Sequence, residues 1–203
     1  MVICDKRQLI FIHIPKTGGT TVEKRLQLTN IDNLYSTSLF INNRTLQHMT
    51  WDKYVEKYPE KFKLYKTFSI VRNPYHRFIS SYNWFPPQAR IGKLSGQTLD
   101  QYINIVAWHV LTKEFNKTPF HEHLIPQWKY ICDEEGRVVI DTIFKQEKYH
   151  KVDMFLETTF GCNRKENYEI GPKHDIVLTK KQKQKIYSLY KKDFEIFEYG
   201  KDF

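Results

Sequence analysis

Residues 9–22, LIFIHIPKTGGTTV, decide the fold of this chain. The first six, LIFIHI, form an apolar and β-branched run that predicts a short buried strand. Residues 15–21, PKTGGTT, follow as a glycine-containing loop that opens a helix. The free amides of such a loop, the positive end of the helix and the Lys16 ammonium all attract an anion, and glycines let the backbone approach it closely. The segment therefore predicts a phosphate cradle for a phosphorylated ligand such as a nucleotide.

The loop differs from two common phosphate-binding signatures. A Walker A loop reads G-x-x-x-x-G-K-[ST], whereas Lys16 precedes both Gly18 and Gly19, and no G-K-[ST] occurs in the chain. The dinucleotide-binding pattern G-x-G-x-x-G is also absent. The sequence thus disfavours an ATP or GTP hydrolase and a dehydrogenase. The loop alone leaves open an ordinary strand–turn–helix corner.

A second segment, residues 64–84, reads LYKTFSIVRNPYHRFISSYNW. It predicts a strand over residues 64–71 and then a helix, with Asn73 as its cap and Pro74 in its first turn. Arg72 then lies at the carboxyl end of a strand, where open α/β sheets bind their ligands, and Ser80 lies about two turns into the helix. A guanidinium fork and a hydroxyl suit a phosphate. Arg77, on the same helix, could meet a phosphate or pair with a carboxylate.

PKTGGTT followed by VRNPYHRFISSY resembles the paired signature of sulfotransferases that use 3′-phosphoadenosine 5′-phosphosulfate (PAPS), in the carbohydrate-type branch, sulfotransferase family 2. The resemblance continues through HLIPQ at residues 123–127, VIDTIF at residues 139–144 with Glu147, and the C-terminal helix pattern. It covers nearly the whole chain. It implies a single sulfotransferase domain over residues 1–203 with a P-loop-NTPase-like α/β fold, and PAPS as the sulfate donor.

The resemblance also assigns donor-binding roles residue by residue. The loop for the 5′-phosphosulfate would consist of Pro15, Lys16, Thr17, Gly18, Gly19, Thr20 and Thr21. Arg72 and Ser80 would bind the 3′-phosphate. Lys16 suits a second task, because a preorganised cation stabilises the charge that develops on the leaving oxygen. Sulfuryl transfer needs no metal, and His121-Glu122-His123 is too tightly spaced for an H-E-x-x-H metal pair.

The acceptor hydroxyl requires a base, and eight histidines compete for that role. A neutral histidine suits it, because its ordinary pKa lies near the operating pH. We favour His48, since related sulfotransferases carry a histidine about this far upstream of the R-x-P segment, although Met49 replaces their small or hydroxyl residue. His123 is the alternative base, or else packs or orients the acceptor. His13 is expected to be a satisfied core residue. From position alone, His48 would be an exposed histidine just before a helix capped by Thr50.

The remaining pattern predicts one α/β domain with a mainly parallel central sheet flanked by helices on both faces. Helices are predicted over residues 74–84, ended by the prolines that follow, over residues 99–115, over residues 148–160, ended by Gly161, and from Thr179 to near the end of the chain. The helix over residues 99–115 has apolar residues at Tyr102, Ile103, Val106, Val110 and Leu111. Residues 85–99 and 120–132 are expected to form the acceptor-site loops.

The net charge of +9 and the pI near 9.3 suit a polyanionic donor and an anionic acceptor such as an acidic glycan. No nucleic-acid-binding module is recognisable. Three cysteines do not make a disulfide framework and fit a reducing compartment. No signal segment and no long apolar run occurs, so we expect no membrane span and a cytoplasmic microbial or viral enzyme, with a Golgi-lumenal location only for a trimmed domain. The sequence does not indicate the oligomeric state.

The combined prediction is a sulfotransferase that moves the sulfuryl group of PAPS to a hydroxyl acceptor, a carbohydrate, by in-line transfer. Two alternatives stay open. A P-loop-like nucleotide kinase would depend on Mg²⁺ and would normally carry the missing G-K-[ST]. A non-catalytic nucleotide- or glycan-binding module would keep the fold without needing a base.

Overall fold

The computed structural model describes residues 3–26, 40–41, 44–88, 97–113, 121–162 and 176–202. The strands of these segments are β1 (Ile3–Cys4), β2 (Leu9–Ile12), β3 (Phe40–Ile41), β4 (Arg44–Thr45), β5 (Lys66–Val71) and β6 (Thr142–Lys145). Four of them form the central sheet in the order β1-β2-β5-β6. The β2–β5 and β5–β6 pairs are parallel, and the β1–β2 pair is antiparallel. The prediction of a mainly parallel sheet is therefore confirmed.

Helices connect the strands and cover both faces of the sheet. The helices of the described segments are α1 (Gly19–Leu26), α2 (Trp51–Lys57), α3 (Pro59–Leu64), α4 (Pro74–Gln88), α5 (Leu99–Thr112), α6 (Trp128–Ile131), α7 (Tyr149–Phe160), α8 (Lys180–Leu189) and α9 (Lys191–Ile196). Short 3₁₀ turns at Leu46–His48 and His121–His123 carry two of the candidate bases.

Successive side chains of a strand point to opposite faces of the sheet, so the core consists of two layers. Ile10 and Ile12 of β2 belong to a cluster that includes buried residues of α4, α5, α8 and α9. Leu9 and Phe11, the alternate residues, belong to a second cluster with buried residues of α1 and α7. The helices therefore pack on both faces, as the sequence predicts.

The three parallel strands end at one edge of the sheet, and a helix begins soon after each of them. α1 follows β2, α4 follows β5 and α7 follows β6. At the start of α4 the backbone amide of Tyr75 donates to Asn73 Oδ1 at 2.9 Å, which confirms Asn73 as the cap. This carboxyl edge holds the residues that the sequence singles out.

Two predicted boundaries near this edge are wrong. Leu64 is the exposed last residue of α3, a helix that Pro59 starts at its first position, so β5 begins only at Lys66. α4 continues to Gln88 rather than ending before the prolines. Pro86 and Pro87 each lack a backbone N–H, so the last turn of α4 forms with two fewer hydrogen bonds.

The C-terminal region also differs from its prediction. Thr179 caps α8 through a capping box with Gln182, and Gly161 ends α7 with φ +62°, as predicted. The expected single terminal helix is instead two helices that meet at Tyr190, whose φ of −113° breaks the helical path. Of the apolar residues of α5, Tyr102, Ile103 and Val106 are buried, whereas Leu111 in the last turn is exposed.

Two further features bear on the predictions. Cys4, Cys132 and Cys162 are buried free thiols, which agrees with the absence of a disulfide framework. Across the described segments, no helix combines the length and the apolar character needed to cross a bilayer.

Candidate functional site

The loop between β2 and α1 has an unusual backbone. Lys16 has φ +68° and Gly18 has φ +88°, both in the left-handed region. For a residue with a Cβ such as Lys16 this conformation costs on the order of 1–2 kcal/mol, and strain of this kind concentrates at functional sites. The Thr17 hydroxyl donates to the Ile14 carbonyl at 2.8 Å and holds the turn. Loops that enter the left-handed region in this way direct backbone amides at an anion.

The structure divides the predicted phosphate loop into two groups. Lys16, Gly18 and Thr20 reach the surface. The buried members are Pro15, Thr17, Gly19 and Thr21. The first group can contact a ligand directly, whereas the second maintains the shape of the loop.

The two glycines are required for different reasons. Gly18 has a backbone conformation that residues with a Cβ rarely adopt. Gly19 lacks the space for a side chain, since an added Cβ would lie 2.8 Å from His13 Cγ and closer still to two other ring atoms. The ring of His13 therefore packs directly against the first residue of α1.

His13 belongs to a buried polar network beneath the loop. Its Nδ1 lies 2.6 Å from Oε1 of Glu23, and the Gln47 side-chain amide donates to Oε2 of the same carboxylate at 2.7 Å. All three residues are buried, and Glu23 has no exposed surface. The expectation that His13 is a satisfied buried residue is confirmed, but its neighbours make it part of the site.

His48 lies next in this network and is buried, which excludes the alternative of an exposed histidine that its position alone suggested. Its ring packs between those of His13 and His123, at centroid distances of 4.7 and 5.4 Å. His48 Nδ1 lies 3.1 Å from the His13 carbonyl oxygen. Because a carbonyl only accepts hydrogen bonds, Nδ1 carries the proton in this bond, and Nε2 of the neutral ring keeps its lone pair.

Burial holds the pKa of His48 well below its ordinary value of 6.5, and the nearby charges of His13, Lys16 and Arg77 lower it further. The hydrogen bond to the His13 carbonyl acts in the opposite direction. His48 is therefore neutral near pH 7, with an unprotonated nitrogen at Nε2. A neutral, oriented imidazole is the form that a general base requires.

His123 completes the cluster from the opposite side. Its ring stacks on Trp84 at 4.3 Å with an interplanar angle of 9°, and the Lys16 ammonium lies 5.4 Å from the Trp84 ring centroid. Burial, followed by the charges of His48 and Lys16, lowers the pKa of His123 well below 6.5 as well. The structure therefore brings together Lys16 and both candidate bases. We call His13, His48 and His123 the histidine cluster.

Arg72 approaches the loop from the end of β5. Its guanidinium donates through Nη1 to the Lys16 carbonyl at 3.2 Å. Its Nε is buried and has no hydrogen-bond partner among the described residues. Burial lowers the pKa of Arg72, and the Glu147 carboxylate opposes this shift. Arg72 therefore offers a desolvated cation with an unused donor beside the phosphate loop.

Gln127, of the HLIPQ segment, fixes the backbone of Arg72. Its side-chain amide accepts from the Arg72 amide and donates to the Arg72 carbonyl, both at 2.8 Å, as a neighbouring strand would. The backbone amide of Gln127 in turn donates to the buried carboxylate of Asp193 at 2.8 Å. The motif thus connects the C-terminal helix α9 to the end of β5.

Arg77 pairs with no carboxylate among the described residues. It is buried and donates from Nε to the Pro15 carbonyl at 3.0 Å and from Nη2 to the His123 carbonyl at 3.2 Å. It therefore joins the phosphate loop to the segment that carries His123. Ser80 is half-buried and lies one turn after Arg77 on the same helix face.

The sequence reasoning missed Glu23 and Gln47. A signal for Glu23 exists, because Gly19, Val22, Glu23 and Leu26 follow the i, i+3, i+4, i+7 pattern of a buried stripe. A carboxylate in such a stripe needs a partner. Gln47 has no comparable signal. Of the predicted acceptor loops, residues 89–96 and 120 lie outside the described residues.

The described residues offer positive charge and hydrogen-bond donors to an anionic ligand. The loop supplies backbone at Gly18 that is exposed, together with the Lys16 ammonium, and Arg72 supplies the unused buried donor. Across the described segments, no group of three histidine, cysteine or acidic side chains is arranged to hold a metal ion.

Comparison with known proteins gives one match. The model of the sulfotransferase family covers residues 1–200, which include the loop, the Arg72 segment and the HLIPQ segment. No curated protein and no solved structure matches the chain.

Proposed function

The chain belongs to the sulfotransferase family, and from this membership we propose that it transfers the sulfuryl group of PAPS to a hydroxyl group of a carbohydrate, with His48 as the base. The family makes the chain a sulfotransferase. The donor, the acceptor class and the residue roles are the proposal. The observation that carries it is the position of His48, whose neutral ring is fixed by the His13 carbonyl and lies near enough to Lys16 for that charge to lower its pKa.

The donor assignment is supported by the left-handed backbone of the loop and by the unused buried donor of Arg72 beside it. We assign the 5′-phosphosulfate to the loop of residues 15–21, with Lys16, Gly18 and Thr20 in direct reach. Arg72 and Ser80 would bind the 3′-phosphate. When bound, PAPS supplies the sulfuryl group, and 3′-phosphoadenosine 5′-phosphate (PAP) leaves.

The chemistry of the chain's own residues follows from this arrangement. His48 Nε2 takes the proton of the acceptor hydroxyl as the oxygen–sulfur bond forms. Lys16 stabilises the electron pair that stays on the departing phosphate oxygen. The bond to the His13 carbonyl stabilises the imidazolium that His48 becomes. Removal of such a base or cation typically lowers the rate by about 10²–10⁴.

His123 remains the alternative base. It shares the burial and lowered pKa of His48, but its ring is stacked on Trp84. Its stacking fits a role in orienting the acceptor near the base.

The acceptor class rests on charge and on the family branch. A net charge of +9 favours an anionic acceptor such as an acidic glycan. The three free thiols favour a reducing compartment such as the cytoplasm.

Calorimetric titration with PAP, ADP and ATP, first without metal and then with Mg²⁺, tests the donor. We expect tight, metal-independent binding of PAP and much weaker binding of ADP. Preference for ATP with Mg²⁺ would refute the proposal in favour of a nucleotide kinase. Binding of PAP without any turnover of PAPS would indicate a binding module.

Parallel kinetics of His48→Asn and His123→Asn test the base. We expect His48→Asn to abolish turnover while PAP still binds. Full activity of His48→Asn together with an inactive His123→Asn would move the base to His123.

A further inference from the structure

We propose that Glu23 is a positioning residue that holds the His48 base in register with the donor loop. Glu23 lies on α1, the helix that the donor loop opens. Its carboxylate binds His13, at the end of β2, through one oxygen and Gln47, the neighbour of His48, through the other. This inference rests on the proposed role of His48.

His48 is held in place through its ring and through the residue before it in the chain, and both connections lead to Glu23. The ring of His48 bonds to the carbonyl of His13, and the side chain of His13 bonds to Glu23 Oε1. The residue before His48 in the chain, Gln47, bonds to Glu23 Oε2. A displacement of α1 therefore changes the position of His48 through both connections.

The packing around His13 makes this connection rigid. The His13 ring occupies the space that a Cβ at Gly19 would need, so it cannot move toward the start of α1. Its Nδ1 is held by Glu23 at 2.6 Å. The ring is thus confined between the donor loop and the carboxylate.

The choice of residue at position 23 also points to a role beyond packing. Glu23 lies in the buried stripe of α1, next to Val22 and one turn before Leu26, both of which are in the core. A carboxylate buried there is costly unless both oxygens are bonded, whereas an apolar side chain would fill the stripe without that cost. The two bonds satisfy the carboxylate and orient the site.

A pair of isosteric exchanges tests the connection. In Glu23→Gln the new amide offers one donor and one acceptor to two N–H donors, so one bond is lost. In Gln47→Glu two carboxylates face each other. In the double variant the amide at position 23 accepts from His13 and donates to the carboxylate at position 47, which restores the pattern of hydrogen bonds.

The measured quantity is kcat per PAP-binding site, with the number of sites taken from calorimetry well below the melting temperature. Dividing by the number of binding sites corrects kcat for any loss of folded protein. Glu23→Gln is expected to lower it by about 10- to 100-fold, the effect of displacing a catalytic group by about 1 Å, with PAP affinity changed far less. The double variant is expected to recover most of the loss.

Asp153→Asn is the matched control. Asp153 on α7 pairs with Arg25 on the same helix α1, outside the histidine cluster. This variant removes an ion pair of α1 but leaves both bonds of Glu23 in place, so kcat per site is expected to stay near the wild-type value.

The proposal is overturned if Glu23→Gln keeps wild-type kcat per site, or if the double variant is no better than Glu23→Gln. If Glu23→Gln does not fold, Gln47→Met, which removes one of the two bonds at similar volume, is measured in the same way. Loss of activity in His48→Asn together with wild-type kcat in Glu23→Gln would refute this inference alone. Activity of His48→Asn would refute the proposed base instead.

Discussion

Replacement of Gly19 by alanine tests the packing of the loop against His13. The new Cβ would lie 2.8 Å from His13 Cγ and nearer to two other ring atoms, so the ring must move. Its movement breaks the buried 2.6 Å bond to Glu23. Overpacking costs about 1–3 kcal/mol, and loss of a hydrogen bond to a charged group about 1.5–3 kcal/mol. The free energy of unfolding should therefore fall by about 3–6 kcal/mol, which lowers Tm by roughly 10–20 °C in a protein of this size.

Urea unfolding followed by circular dichroism measures this loss, and Gly161→Ala is the control. Gly161 also has a left-handed φ, of +62°, but no atom lies within 4 Å of the site of its Cβ. Its replacement should cost only the conformational strain, about 1–2 kcal/mol.

A double-mutant cycle identifies the cause of the loss. In a His13→Ser background the ring is gone, and Gly19→Ala should then cost less than about 1 kcal/mol, a coupling of at least about 2 kcal/mol. An effect of Gly19→Ala no larger than that of Gly161→Ala would refute the argument. An equal loss of stability on Gly19→Ala in the His13→Ser background would also refute it.

Three further predictions concern the ligands and the base. The proposed base, His48, would act only when neutral, and its pKa is lowered, so kcat should stay level as pH falls to 6.5. The acid limb should lie below that value, and a limb at or above pH 6.5 would contradict the assignment. Arg72→Lys should weaken PAP binding by about 10- to 100-fold through loss of the guanidinium fork, measured by calorimetry. ADP, which lacks the 3′-phosphate, should bind as before, and an equal loss for ADP would refute the 3′-phosphate role. PAP at 100 times its Kd should add about 2.7 kcal/mol of stability and roughly 5–10 °C in Tm, with or without Mg²⁺, and an unchanged Tm would argue against a PAP site.

The elements at the carboxyl edge of the sheet could be predicted because their signals are local. The apolar run that becomes β2, the Asn73 cap and the Gly161 stop each act within a few residues of the chain. Thr50 shows the limit of such signals. It occupies the cap position of α2, but its side chain makes no capping bond.

The polar network of the site could not be predicted, because its contacts join distant parts of the chain. Gln47 and Glu23 are 24 residues apart, and Gln127 and the Arg72 backbone are 55 residues apart. The sequence indicated that Arg72 and the HLIPQ segment belong to the site, but not that the glutamine fixes the arginine. Burial of His48 likewise depends on His13 and His123, which no local pattern connects to it.

The two arginines of the site have a consequence for the lifetime of the protein in a cell. Among the described residues, the hydrogen bonds of the Arg72 and Arg77 side chains go to backbone carbonyls rather than to carboxylates. Their positive charge is thus only partly compensated until an anion binds. Because proteases act on opened forms, an abundant anionic ligand reduces the population they can cleave, about 100-fold at 100 times its Kd. The amount of this enzyme should therefore follow the supply of its sulfate donor even at constant synthesis.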